Sequence, residues 1–122
     1  MKVAVLGASD DPERYSYKAV SRLLEAGHTV FPVHPKLKEV LGLSVHSSLK
    51  DLPETADTIT VYVSPAVSSA IASDILGSGA RRLIFNPGSE NPELAAKARA
   101  AGIHTVEACT LVLLSTRQFE KA

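Results

Sequence analysis

The chain has 122 residues, with 13 Lys and Arg against 13 Asp and Glu, so its formal net charge is zero. A nucleic-acid-binding protein usually carries a clustered basic excess, and this composition contains none. Hydrophobic residues make up 45% and charged residues 21% of the chain, a globular composition that argues against an intrinsically disordered protein. The longest apolar runs, residues 3–6 and 111–114, are far shorter than the roughly 18 residues that span a bilayer.

Length and cysteine content predict one domain over residues 1–122. A chain of this length suits a single domain that buries about two-thirds of its unfolded surface. Cys109 is the only cysteine, so no internal disulfide can form, and no signal-peptide pattern precedes the first apolar run. We therefore expect a small cytoplasmic protein from a reducing compartment.

The first third of the chain alternates short apolar runs with an amphipathic segment. Residues 3–6 are all apolar and run into a glycine, which is typical of a strand buried on both faces of a parallel sheet. Residues 19–24 carry apolar side chains at helical spacing, and Gly27 is typical of a helix end. Residues 28–33 predict the second strand, with Pro32 near its end or at an unpaired edge.

The next segment is less regular. Apolar residues within 37–41 predict one or two helical turns, closed by Gly42. Residues 43–46 predict a short strand and residues 48–53 a turn of helix that leads to the second half of the chain.

The second half begins with a clearer strand and helix. Residues 58–63 are rich in β-branched side chains and predict a strand. Ser64 then suits the N-cap of a helix and Pro65 its first position, where a missing N–H costs nothing. That helix should end near residues 77–79 and bury one face, formed by Val67, Ala70, Ile71 and Ile75.

Two further strands are predicted at residues 82–85 and 103–106, with a helix between them that Asn91 caps and a terminal helix over 109–119. In the helix after Asn91, Leu94, Ala95 and Ala98 should point inward. This alternation predicts an α/β fold, with a doubly wound, mostly parallel sheet of five to six strands and helices on both faces. Ligands of such sheets bind beyond the carboxyl ends of the strands, where the strand order reverses.

The loop after the first strand, residues 7–17, lies where nucleotide-binding sheets carry their phosphate loop. It has one glycine, Gly7, where the G-x-G-x-x-G motif has three. Gly7 permits a close backbone approach, Ser9 offers a hydroxyl and an N–H, and Arg14 is able to bind a phosphate through two parallel hydrogen bonds. The alternative is an ordinary strand-to-helix loop with charged surface residues.

The loop after the second strand consists of His34, Pro35 and Lys36. An NAD site places an acid here for the ribose hydroxyls, but the first carboxylate in this segment is Glu39. Lys36 favours a phosphorylated ribose over a free diol, although a solvated surface lysine is the alternative explanation.

The other two strand-end loops carry weaker signals. A good helix cap explains Ser64 and Pro65, and lining an adenine slot together with Val63 would be an additional role. Residues 86–88 have the composition of a turn, and a ligand contact there is the secondary interpretation.

Several of these segments, in this order, resemble the small stand-alone CoA-binding domain family. That family shares its Rossmann-like fold with the N-terminal domain of succinyl-CoA synthetase α subunits. The resemblance covers nearly the whole chain, although this sequence has His34 where the family usually has Asn. Many members also carry Arg in place of Ser64-Pro65, and Gln-Gly in place of residues 86–88. The matching stretches are residues 5–9 with Pro12, residues 16–17, 26–36, Gly42, 48–53, 86–88 and 106–110.

The resemblance implies that the chain holds CoA or an acyl-CoA at these loops. The first loop would meet the pyrophosphate, the second would flank the adenosine with Lys36 near the 3′-phosphate, and the third would contact the nucleotide. The candidate ligand-binding residues are Gly7, Ala8, Ser9, Arg14, Tyr17, His34, Pro35, Lys36, Val63, Ser64, Pro65, Asn86, Pro87 and Gly88.

No catalytic constellation is visible in the sequence. His28 and His104 begin strands directly after glycines and are expected at the surface. No pair of histidines has metal-ligand spacing and Cys109 has no second thiol, so we predict no metal site. Cys109 would act as a nucleophile only beside a base, and none is evident, so we expect a small, buried, apolar side chain.

The sequence therefore predicts a non-catalytic protein that binds CoA or an acyl-CoA. An NAD(P)-binding redox enzyme or sensor is the alternative, because NADP would also suit Lys36. An interaction subunit that has lost its ligand is a third interpretation. We expect a small-molecule nucleotide as partner, with neither nucleic acid nor membrane, and leave a homodimer open.

Overall fold

The computed structural model describes all residues 1–122. The elements follow one another along the chain as strands and helices with one 3-10 turn, Leu49–Asp51. They are β1 (Lys2–Leu6), α1 (Tyr15–Glu25), β2 (Thr29–Val33), β3 (Glu39–Val40), β4 (Leu43–Ser44), β5 (Thr58–Val61), α2 (Pro65–Ala70), α3 (Ala72–Leu76), β6 (Arg82–Phe85), α4 (Pro92–Ala100), β7 (His104–Glu107) and α5 (Thr110–Ser115).

Five strands form one parallel sheet in the order β2-β1-β5-β6-β7. The strand order reverses between β1 and β5, because the chain leaves β1 first toward β2 and later toward β5. Pro32 lies on the edge strand β2 and pairs with Val5 of β1. At the edge of the sheet, its missing N–H does not cost a hydrogen bond between inner strands. The predicted doubly wound sheet is confirmed, with five parallel strands.

The sheet buries apolar side chains on both faces, which explains the continuous apolar run in β1. Ala4 and Leu6 pack into one core with Ile75 of α3 and Leu94 of α4. The alternate residues of β1 point to the other face and pack against α1 and the segment after α5. The helices lie on both faces, as predicted, and none of them is long and apolar enough to cross a membrane.

Between β2 and β5 the structure differs from the sequence prediction. The predicted helical turns over 37–41 are wrong, because β3 and β4 form an antiparallel hairpin there. Leu41 and Gly42 both have positive φ, 51° and 78°, the backbone twist that a two-residue hairpin turn favours. His46 then fixes the segment to the sheet edge, donating its N–H to the Pro32 carbonyl at 2.9 Å.

The single helix predicted after Ser64 is two short helices that meet at Ile71. Ser64 caps the first of them as predicted, since its hydroxyl accepts from the Val67 N–H at 3.3 Å. Val67 and Ala70 were predicted to be buried and are instead exposed, Val67 by 46%, while Ser68 is buried. Asn91, the cap of α4, makes that burial tolerable by donating to the Ser68 hydroxyl at 2.8 Å.

The amino ends of the strands are closed by the C-terminal segment. Arg82 is buried and donates to the Thr58 hydroxyl and to the Phe119 and Ala122 carbonyls. The ring of Phe119 lies 4.7 Å from this guanidinium. His28 was predicted at the surface and is only 7% exposed, because its ring packs 5.1 Å from that of Phe119.

Stability should therefore depend on the protonation of His28. Burial lowers the pKa of His28, and the nearby N-terminal ammonium, which donates to Nδ1, lowers it further. Between this lowered pKa and the ordinary value of about 6.5, the unfolded chain binds more protons than the folded one. The free energy of unfolding therefore has its full value above the ordinary pKa of histidine. It decreases as the pH drops toward the lowered pKa that His28 has in the folded state.

Urea titrations at a series of pH values between about 7.5 and 5 measure this dependence. We expect His28→Gln to flatten it, whereas His104→Gln, which removes an exposed imidazole, should leave it unchanged. An equally steep dependence in His28→Gln would contradict the assignment.

Candidate functional site

Three strand ends meet at Gly7, directly after β1. Gly7 has a φ of +89°, and a Cβ built on it would lie 2.9 Å from Val63 Cγ1 and 3.2 Å from the carbonyl carbon of Tyr62. The N–H groups of Gly7 and Ala8 both donate to the Val33 carbonyl, at 3.0 and 3.1 Å. Only glycine permits this approach, so the loop after β1 lies across the ends of β2 and β5.

A cavity of about 630 Å³ opens above these strand ends. It lies where the strand order reverses between β1 and β5, the position predicted for a ligand. Of the candidate residues from the sequence, the cavity lining includes Gly7, Ala8, Ser9, Arg14, His34, Pro35, Val63 and Pro87.

One end of the cavity is suited to an anion. Arg14, at the N-cap of α1, makes no side-chain capping hydrogen bond. The N–H groups of Tyr15, Ser16 and Tyr17 have no acceptor within the protein. These free donors and the positive end of the helix dipole favour negative charge, and Ser9, Arg14 and the carboxylate of Asp10 also line the cavity.

His34 shapes the loop after β2. Its Nδ1 accepts from the N–H groups of Lys36 and Leu37, at 3.0 and 3.1 Å. Nδ1 therefore carries no proton in this arrangement, and the neutral ring holds its proton on Nε2. An asparagine Oδ1 is the same number of bonds from Cα and makes the same kind of turn. His34 therefore accepts the same kind of backbone hydrogen bonds as the asparagine that usually stands here in the family that the sequence resembles.

Five apolar side chains, which together we call the apolar slot, line the cavity from two parts of the chain. Pro35, Leu37 and Leu49 line it from the side of β2 and the 3-10 turn, and Val67 and Ile71 line it from α2 and its junction with α3. The sequence analysis did not assign a ligand role to the last four of these residues. Their signal was an apolar spacing that is equally typical of a core helix.

The remaining candidate residues lie outside the cavity lining. Tyr17 packs with the core beneath α1, and Lys36 is exposed directly after Pro35. Asn86 is buried, where it donates to the Thr60 hydroxyl at 2.7 Å and accepts from the Thr110 N–H at 2.8 Å. Its side chain therefore connects β5 to α5. Ser64 and Pro65 begin α2, and Gly88 lies in an exposed turn.

Three side chains in or near the site could take part in chemistry, and their surroundings differ. His34 provides the cavity's imidazole, and its Nδ1 is occupied by two backbone amides. Burial raises the pKa of Tyr62, so its phenol stays neutral and supplies no base. Cys109 is half-buried at the N-cap of α5, outside the lining.

Comparison with known proteins connects this geometry to a family. A family model described as a CoA binding domain matches residues 1–115. The chain belongs to the CoA-binding domain family. The predicted resemblance is confirmed.

Relatives of this CoA-binding domain include stand-alone proteins and parts of ligases. It is 30% identical to the uncharacterised protein YneT of Bacillus subtilis over 92 residues, which cover 75% of this chain and 68% of YneT. It is 36% identical over 62 residues to the α subunit of acetate–CoA ligase (ADP-forming) II of Pyrococcus furiosus. That match covers 50% of this chain but only 14% of the ligase subunit.

Solved structures share the whole fold. The crystal structure of an uncharacterised protein superimposes with a TM-score of 0.91 at 40% identity, covering 97% of both chains. The protein ID.343 from Thermus thermophilus has a TM-score of 0.88 at 31% identity, covering 97% of this domain and 90% of that chain.

We expect Gly7→Ala to destabilise the domain more than Gly88→Ala. Both glycines have φ near +90°, so both substitutions incur backbone strain of about 1–2 kcal/mol. The new methyl group at position 88 would meet nothing within 4 Å, whereas at position 7 it collides with Val63. That collision should cost a further amount of about 1–3 kcal/mol. Denaturant titration measures both variants, and equal losses would show that the close approach at Gly7 is unimportant.

We also expect His34→Asn to preserve stability better than His34→Ala. The asparagine can accept from the same two amides, while alanine leaves them to water, a loss comparable with that of a helix cap, about 1 kcal/mol. Thermal unfolding of the two variants tests this, and a similar loss in both would refute the proposed turn.

Proposed function

We propose that this domain binds CoA or an acyl-CoA in the cavity above Gly7 and holds it without chemical change. The observation that carries the proposal is the uncapped N-terminus of α1, whose residues Arg14, Tyr15 and Ser16 line a cavity of about 630 Å³ together with apolar side chains. A nucleotide with a pyrophosphate needs this combination of free amide donors and positive charge. Membership of the CoA-binding domain family points to the same ligand.

The pyrophosphate would lie against Ser9, Arg14 and the first turn of α1. Since the N–H groups of Gly7 and Ala8 are already bonded to Val33, these two residues would contribute a close surface rather than hydrogen bonds. The adenosine would then occupy the apolar slot, with Lys36 beside the ribose 3′-phosphate. Pantetheine would leave the slot on the side of the cavity that Pro87 lines.

Lys36 favours CoA over NAD as the ligand. The carboxylate nearest along the chain, Glu39, is exposed on the β3 hairpin and outside the cavity lining. No acid therefore follows β2 to bind free ribose hydroxyls, and a cation stands in that position. NADP, which also carries a ribose phosphate, is the second candidate ligand.

Binding without catalysis is the natural outcome of these lining groups. The cavity is lined by serine hydroxyls, the His34 imidazole and the carboxylates of Asp10 and Asp74, with no thiol. The lining hydroxyls of Ser47 and Ser48 donate to Asp51, and because these hydrogen bonds lower the pKa of Asp51, its carboxylate is a weak base. Acyl transfer would need a nucleophile paired with a base, and the His34 nitrogen that faces the loop amides is already engaged.

Isothermal titration with CoA, dephospho-CoA, NAD and NADP tests the proposal. We expect CoA to bind at least about ten-fold more tightly than dephospho-CoA, since a charged hydrogen bond to the 3′-phosphate is worth about that factor. Dephospho-CoA shares the pyrophosphate and adenine, so the comparison isolates one group. Equal or tighter binding of NAD or NADP would refute CoA as the ligand.

A single lysine should account for the preference. Lys36→Ala should weaken the binding of CoA by about ten-fold and leave that of dephospho-CoA unchanged. Lys38→Ala, which removes the same charge from a neighbouring exposed position, serves as the matched control. Equal weakening by both variants would indicate only a general electrostatic effect.

A further inference from the structure

The side of the cavity that α2 and α3 line includes a carboxylate, that of Asp74. Val67, Ile71 and Asp74 are spaced four and three residues apart and all line the cavity. Although the helix is divided at Ile71, its hydrogen bonds continue, since the Ile71 N–H donates to the Val67 carbonyl at 3.2 Å and the Ile75 N–H to the Ile71 carbonyl at 3.1 Å. The three side chains therefore form one stripe, in which two apolar residues lead to a charge.

Asp74 is an acceptor without a hydrogen-bond donor. Its side chain is 24% exposed, and its closest cation, Lys50 Nζ, lies 3.8 Å away on a side chain that is 72% exposed. Three other aspartates, Asp11, Asp51 and Asp57, accept hydrogen bonds, and Asp10 accepts none. Asp51 accepts from two serine hydroxyls at 2.7 and 3.0 Å, and Asp57 accepts from the Lys2 N–H at 2.8 Å. The Asp74 carboxylate is partly exposed to the cavity, so a ligand there can supply the hydrogen-bond donor that the protein does not.

The chemistry of a carboxylate limits which part of a ligand can lie against it. An ionised carboxylate only accepts hydrogen bonds, and it repels phosphates. Asp74 must therefore meet a neutral part of the ligand that carries N–H or O–H groups. The apolar stripe beside it suits a flat ring, and the 6-amino group of adenine provides two N–H donors at the edge of such a ring.

We propose that Asp74 is a specificity residue that accepts a hydrogen bond from the 6-amino group of a bound adenine. This inference rests on the proposed function, because it assumes that the adenine of CoA occupies the apolar slot. At the position of the 6-amino group a 6-oxo purine such as hypoxanthine has an oxygen, which the carboxylate repels, and the base would have to shift to offer its N1–H instead. The site thus selects adenine nucleotides at the end of the cavity opposite the phosphates.

The test compares CoA with an analogue in which hypoxanthine replaces adenine, by isothermal titration. The wild-type domain should bind CoA at least about ten-fold more tightly than the analogue. Asp74→Ala should reduce this preference to less than about three-fold. Asp74→Asn should also reduce it, because an amide can accept from the amino group or donate to the oxo group. The asparagine variant keeps the side-chain shape, so it serves if the alanine variant fails to fold.

Two controls separate the base contact from general charge effects. Asp10→Asn removes the other lining carboxylate, which lies in the loop after β1, and should retain the preference for CoA. Lys50→Gln removes the ion-pair partner of Asp74 and should retain it as well. Loss of the preference in either control would overturn the assignment to Asp74.

The outcomes distinguish this inference from the function on which it rests. If the wild-type domain binds neither CoA nor the analogue, the proposed function fails. If it binds both with equal affinity, the proposed function stands and the role of Asp74 is refuted.

Discussion

The close approach of the β1 loop to the end of β5 is the constraint on which the rest of the site depends. Gly7 comes so near the backbone of Tyr62 and Val63 that no side chain fits between them. The same loop is held from the other side, because the Val33 carbonyl accepts from two successive N–H groups. The ends of β2, β1 and β5 are thereby fixed at one height, and the cavity opens directly above them. A bulkier residue at position 7 would separate the strand ends and remove the cavity floor.

Because of that constraint, different parts of the β1 loop have different roles. The donors nearest the sheet are used by the fold, so an anion must be met further along, by Ser9, Arg14 and the first turn of α1. A second glycine-rich turn is not required for this, because the helix supplies its own free amides. A loop with a single glycine is therefore able to serve as the proposed phosphate site. It also explains why Arg14, an unusual residue for an N-cap, is tolerated there.

The parts of the fold that the sequence predicted well depend on local signals. Strand periodicity, the Ser64 cap and the Asn91 cap are each decided within a few residues, and all agree with the structure. The errors arose where a distant contact decides the outcome. The β3–β4 segment is a hairpin because His46 bonds to the edge of β2. Val67 is exposed because Asn91, more than twenty positions away, satisfies a buried serine on the inner face instead.

The same distinction governs what the sequence predicted of the site. Strand-end loops can be located from the strand pattern alone, and this brought Gly7 and His34 to the cavity. The direction of each side chain cannot be predicted in this way. Asn86, for example, points into the core, where it bonds to Thr60 and Thr110, rather than outward. The sequence pattern did not mark Asp74 as a ligand contact, because that role depends on residues from other parts of the chain that line the same cavity. The zero net charge of the composition conceals this arrangement, because Arg14 and the free amides of α1 line the cavity from one helix, while Asp74, whose only ion-pair partner is the exposed Lys50 at 3.8 Å, lines it from another. A ligand with phosphates at one end and an amino-bearing base at the other matches that separation, and a uniformly anionic ligand does not.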